Sequence, residues 1–173
     1  MPTIVVQGDE GDTANANSYN SVDEFTSYSS DHGFAITDYT EDEVEIALIK
    51  ATEFLDNRFP FNGYPANDYD IQLTQFPRNQ IYGQRGEAVE GIPREVKSAH
   101  NEYAFRALSE PLFSDVTLSS SNIQSVTNTV DVISTSTTYF RPTEIGQDNI
   151  FKKPDQILLR SGFVDDPNQV LLG

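Results

Sequence analysis

The chain has 173 residues, with 11 Lys and Arg against 27 Asp and Glu, two histidines and no cysteine, for a formal charge of −16. That length suits one domain with an arm or tail rather than two full domains. The charge sets the surface against nucleic-acid phosphates, and the lack of cysteine excludes disulfides, thiolate metal sites and a cysteine nucleophile.

The first residues, MPTIVVQGDEGD, hold no basic stretch and only the short apolar run Ile4-Val5-Val6, which reads as a strand stopped by a turn. No later segment approaches the about 18 apolar residues of a membrane span, so a soluble, unexported protein with no membrane partner is expected. Ser21 and Glu24 have capping-box spacing, which predicts a helix with Val22, Phe25 and Tyr28 on one face and Gly33 as its left-handed stop. Thr40 and Glu43 repeat that spacing. Behind them Val44, Ala47, Leu48, Ala51, Phe54 and Leu55 fall at steps of three and four, the buried face of a second helix that Pro60 ends. Its other side carries Ile46 and Ile49, for which either the chain itself or a neighbouring subunit supplies the cover.

Residues 60–91 interrupt their aromatics with Gly63, Pro65, Pro77, Gly83, Gly86 and Gly91 and read as an ordered loop. Pro93 opens a third helix with the stripe Val96, Ala99, His100, Tyr103, Ala107 and Leu108, ending near Pro111. Residues 114–140 are dense in Ser, Thr and Val and suit a two-stranded arm, with Asn128 or the serines at 119–121 as its turn. Residues 141–173 mix prolines with apolar clusters and read as an extended tail with anchors. The expected fold is mainly α. Residues 1–113 form a three- to four-helix domain with a short N-terminal strand, 114–140 a β-hairpin arm, and 141–173 an extended C-terminal tail.

Chemistry is sparse. His32 and His100 lack ligand-spaced partners and read as structural. GDEGDTANAN lacks the alternating acids and closing glutamate of a calcium loop, and GQRGEAVEG carries Glu87 and Glu90 where a phosphate would sit, so it reads as a hairpin turn. No catalytic, cofactor or metal residue is assigned, no cofactor is expected, and the chain is not expected to be an enzyme.

Three blocks occur in order: ANSYNSVDEFTSYSSDHG (16–33), EIALIKATEFLDNRF (45–59) and FPRNQIYGQRGEAVEGIPREVKSAHNEYAFRAL (76–108). Together they resemble a tailed-bacteriophage family of head–tail connector adaptors, whose members automatic naming often calls DnaT-like single-stranded DNA-binding proteins. The resemblance covers roughly residues 4–110. The chain departs from it at Phe76, where a tryptophan is usual, and in a longer arm and tail.

The resemblance implies a structural virion protein made in the host cytoplasm. It would form a ring of about twelve copies on the portal protein, extend the DNA exit channel, and meet a downstream neck or tail protein. Duplex DNA would pass its acidic wall without sequence-specific binding. On this reading Phe151, Ile157, Leu158, Leu159, Phe163, Val170, Leu171 and Leu172 dock the tail on portal, and Ile46, Ile49, Arg78, Arg85 and Arg94 are candidates for the subunit interface. The alternative is a DnaT-like single-stranded DNA-binding replication protein. It requires a basic groove interleaved with exposed aromatics, whereas the arginines of 76–94 stand among acids.

Overall fold

The computed structural model describes residues 2–113, 123–129, 134–139 and 151–164. The chain divides into two units, Met1–Leu112 with Phe151–Gly173, and Phe113–Ile150. The fold is mainly helical with a small antiparallel hairpin, as expected.

In the first unit both capping boxes form. Ser21 Oγ accepts from the Glu24 amide and Glu24 accepts from the Ser21 amide at 2.7 Å, starting α1 (Val22–His32), and Gly33 closes it at φ 70°. Thr40 and Glu43 repeat the exchange at the start of α2 (Glu41–Arg58). Each such cap is worth about 1 kcal/mol. The apolar stripe of α2 is buried as its spacing requires, and Phe54, Leu48 and Leu55 are sealed completely. Against it lies α3 (Arg94–Ala107), which follows Pro93 and buries Val96, Ala99, His100 and Tyr103.

The loop between α2 and α3 pairs β1 (Tyr64–Pro65) with β2 (Arg78–Asn79), antiparallel, with Tyr64 opposite Asn79. Gly63 turns the chain at φ 70°, and a Cβ there would stand 2.2 Å from the Asn79 carbonyl oxygen, so only glycine fits. GQRGEAVEG forms the expected turn, with Tyr82 bridged to Ala88 and the Gly83 amide donating to Glu87 O at 2.8 Å.

Two expectations need correction. Ile4-Val5-Val6 is not a ladder strand. Only Val6 forms a bridge, to Ser18, because the side chain of Asn17 serves as hydrogen-bond partner of the Val5 amide at 2.8 Å. Residues 151–164 are not an extended tail: Lys152–Ser161 is a helix, α4, packed on α3. Pro154 sits in its first turn, where an amide hydrogen has no helical partner to lose, and Gly162 ends it at φ 85°. Phe151, Leu158 and Phe163 enter the same core as Phe54, Phe76 and Tyr103, while Ile157 and Leu159 are partly buried against it. At about 1.5–3 kcal/mol per large apolar side chain, this segment contributes substantially to stability. Val170, Leu171 and Leu172 lie outside the described residues.

In the second unit β3 (Ile123–Thr129) and β4 (Ser134–Tyr139) pair antiparallel, with Thr127 opposite Ser136. Asn128 lies within β3 opposite Thr135, not at a turn, and the serines at 119–121 lie outside the described residues.

Candidate interaction site

The residues of the sequence blocks are engaged inside the first unit, each tying a different part of it. The Asn17 side chain accepts from the Val5 amide and donates to Thr3 O at 2.9 Å, pinning the N-terminal segment. Asn20 Nδ2 lies 2.9 Å from Lys97 O, 2.9 Å from Asn101 Oδ1 and 3.0 Å from His100 Nδ1. His100 Nε2 faces Leu48 O at 3.0 Å and the Thr52 hydroxyl at 2.9 Å. A neutral ring protonated on Nε2 satisfies this set, with Nδ1 accepting from Asn20. Full burial pushes the His100 pKa down to about 4, although the Leu48 carbonyl favours the cation. The other histidine, His32, is exposed and stacks on Tyr28 at 3.8 Å. Both histidines have the structural roles read from the sequence.

Tyr19 is completely buried, and its hydroxyl donates to Asp56 and accepts from the Phe76 amide at 3.1 Å. Asp56 also accepts from the Gln75 amide at 3.1 Å. Burial pushes the Asp56 carboxyl up to about 7, against the opposing pull of Tyr19, Gln75 and Arg78. Arg78, offered above as a subunit contact, is instead buried. Its Nε donates to Asn62 O, its Nη2 to Phe61 O and Gly63 O, and its Nη1 to Gln75 O and Gln75 Oε1, at 2.7–3.3 Å. A planar guanidinium with five donors can gather carbonyls from two loop strands in this way. It therefore clamps the loop and is not available to a neighbour.

Two features remain at the surface. The first is a cleft of about 770 Å³ between the 83–95 segment and α4, into which Arg85, Arg94, Lys153 and Arg160 converge beside Val89 and Ile157. Two carboxylates, Glu87 and Glu95, also line it, so the cleft is locally cationic on an acidic chain. Glu95 pairs with Arg94 at 2.8 Å, and Lys153 reaches the buried Glu102, whereas Arg85 and Arg160 have no carboxylate partner among the described residues. The second is a turn at 68–73 that exposes Tyr69, Ile71 and Leu73 beside Asp68 and Asp70, with Tyr69 82% exposed. Gln72, buried beneath it, donates to Thr74 O and Pro77 O at 2.9 Å and accepts from the Asn67 amide, so the turn is held rigidly.

The proposed interface residues therefore separate. Arg85 and Arg94 stand at the cleft, Ile46 is 40% exposed on α2, Ile49 is half-buried, and Arg78 is internal. Of the proposed docking anchors, Phe151, Leu158 and Phe163 are core residues and cannot face a partner without unfolding α4. Sequence reasoning missed Lys153, Arg160 and the 68–73 turn. The turn's signal was the alternation of Tyr69, Ile71 and Leu73 with acids, and the convergence of Arg160 on Arg85 needs the fold. Among the described residues no His, Asp and Glu cluster is placed to hold a metal ion, and no helix is long and apolar enough to cross a membrane.

No curated protein and no solved structure matches the chain. The blocks that supply Asn20, Asp56, Arg78 and His100 fall within a match over residues 1–166 to the family described as "Putative DnaT-like ssDNA binding protein", and the chain belongs to that family.

Proposed function

We propose that the chain is a connector adaptor of a phage virion, docking in several copies on a portal vertex and extending the channel through which duplex DNA passes toward the tail. The observation that carries this reading is the scatter of exposed rings among acids on a chain of net charge −16. Tyr64 and Tyr69 are exposed in a loop bearing Asp68 and Asp70, and of the exposed tyrosines among the described residues Tyr82 alone adjoins the cationic cleft, which Glu87 and Glu95 also line. Sequence-tolerant strand binding needs stacking rings and cations in one groove. With −16 on the chain, a channel wall that repels phosphate is the more natural use of the surface. The resemblance of the three blocks to connector adaptors adds to this. Docking on portal by residues 151–164 is not part of the proposal, since they build the core.

The second reading, single-stranded DNA binding in replication, is favoured by the family's own description and has a place to act among the described residues, the Arg85, Arg94 and Arg160 cleft. A titration of labelled oligothymidylate across salt concentrations separates the two. The adaptor reading expects no binding at physiological salt. Micromolar binding with a steep salt slope overturns it in favour of the family's description. Co-sedimentation with a phage portal protein, followed by negative-stain microscopy, tests the adaptor reading directly.

A further inference from the structure

We propose that the cleft between the 83–95 segment and α4 receives the 68–73 turn of a second copy of this chain, making a head-to-tail contact. The chemistry matches on both sides. Arg85, Arg94, Lys153 and Arg160 outnumber Glu87 and Glu95 in a cleft also lined by Val89, Ile157 and Phe163, and the turn presents Asp68 and Asp70 with Tyr69, Ile71 and Leu73. Two copies at −16 each repel one another overall, so contact between them needs a locally complementary pair, and this is such a pair. Because Gln72 already fixes the turn's backbone, docking has mainly side chains left to order. None of the turn's residues lines the cleft of its own chain, so among the described residues a copy does not fill its cleft with its own turn. The contact is heterologous: each copy offers a turn to one neighbour and a cleft to the other, which closes a ring or extends a filament. A phosphate backbone would account for the cations but leave the acidic, apolar turn unexplained.

The inference deepens the adaptor reading and rests on it for ring closure, yet the contact is tested in isolated protein without portal, so either can fail alone. The chain has no cysteine, so single cysteines report unambiguously. Asp70→Cys and Gln156→Cys are both exposed changes, and Gln156 lines the cleft. Mixed at high concentration and treated with a short bis-maleimide, they are expected to give mixed dimers several-fold above either homodimer. A chain carrying both cysteines should give a ladder rather than a dimer. Arg85→Glu with Arg160→Glu should abolish the mixed dimer, and Asp68→Lys in the partner copy should restore it. Statistical cross-linking, no cross-linking, or insensitivity to the charge reversals overturns the proposal. So does protection of Gln156→Cys by oligothymidylate with no effect of the turn variants, which would make the cleft a nucleic-acid site.

Discussion

The Tyr103 hydroxyl on α3 donates to Asp155 on α4, whose other carboxylate oxygen takes Arg58 Nη2 of α2 at 3.0 Å. One carboxylate thus joins three helices, with Arg58 and Asp155 both largely buried. Asp155→Ala removes the acceptor from two buried donors and should lower stability by on the order of 3 kcal/mol, with Tyr103→Phe costing about 1. Urea unfolding measures both. Deleting residues 150–173 should leave a chain that fails to melt cooperatively, because Phe151, Leu158 and Phe163 leave the core with it. A truncated protein with native circular dichroism and melting would show that α4 is dispensable.

Asp56 and His100 should oppose each other in the pH dependence of stability. His100 has a folded pKa near 4, below its ordinary 6.5, so between those values the unfolded chain binds more protons and stability falls as pH falls. Protonating Nδ1 would also set two donors, His100 and Asn20, face to face. Asp56 has a folded pKa near 7, above its ordinary 3.8, so the folded chain binds more protons and stability falls as pH rises across that window. Each group contributes a limiting slope of about 1.4 kcal/mol per pH unit. Between pH 4.5 and 6.5 the slopes of these two groups cancel. Asp56→Asn should tilt the profile toward greater stability at high pH relative to wild type, and His100→Asn should tilt it the other way. Denaturant titrations at several pH values check this; parallel profiles for all three proteins would refute it.

Arg78 should not tolerate lysine. A single ammonium cannot span the carbonyls of Phe61, Asn62, Gly63 and Gln75 that the guanidinium reaches, so Arg78→Lys should cost about 2–4 kcal/mol, nearly as much as Arg78→Ala. Hydrogen exchange would show the loss first at the Ala66 amide, which donates to Pro77 O within the clamped loop. Full rescue by lysine would mean that charge, not fork geometry, holds the loop.

What was legible in the sequence was local. Ser21 with Glu24 and Thr40 with Glu43 announce helix starts because the interaction spans one turn, and the α2 and α3 stripes repeat at the helix period. The arm's Ser and Thr content marked strands correctly, although Asn128 proved to be a paired residue. What escaped depends on partners far along the chain. Nothing near Arg78 says that it will gather carbonyls of residues 61–63, and nothing near Asp155 points to Tyr103. The error at α4 came from counting Pro154 among the prolines of an extended tail, when in a first turn it has no hydrogen bond to break. At the candidate site, the arginines of 85 and 94 were visible as exposed cations among acids. Their meeting with Arg160 is a product of α4 folding back.

Leu112 and Phe151 are both buried in the same core cluster, so the chain departs from that core at one buried anchor and returns at another. The body therefore fixes both ends of the intervening sequence by itself. Loop-closure entropy grows only with the logarithm of length, about 0.6 kcal/mol per doubling, so an insertion there should cost little. A foreign segment grafted between residues 113 and 150 should leave the melting of the helical body nearly unaltered.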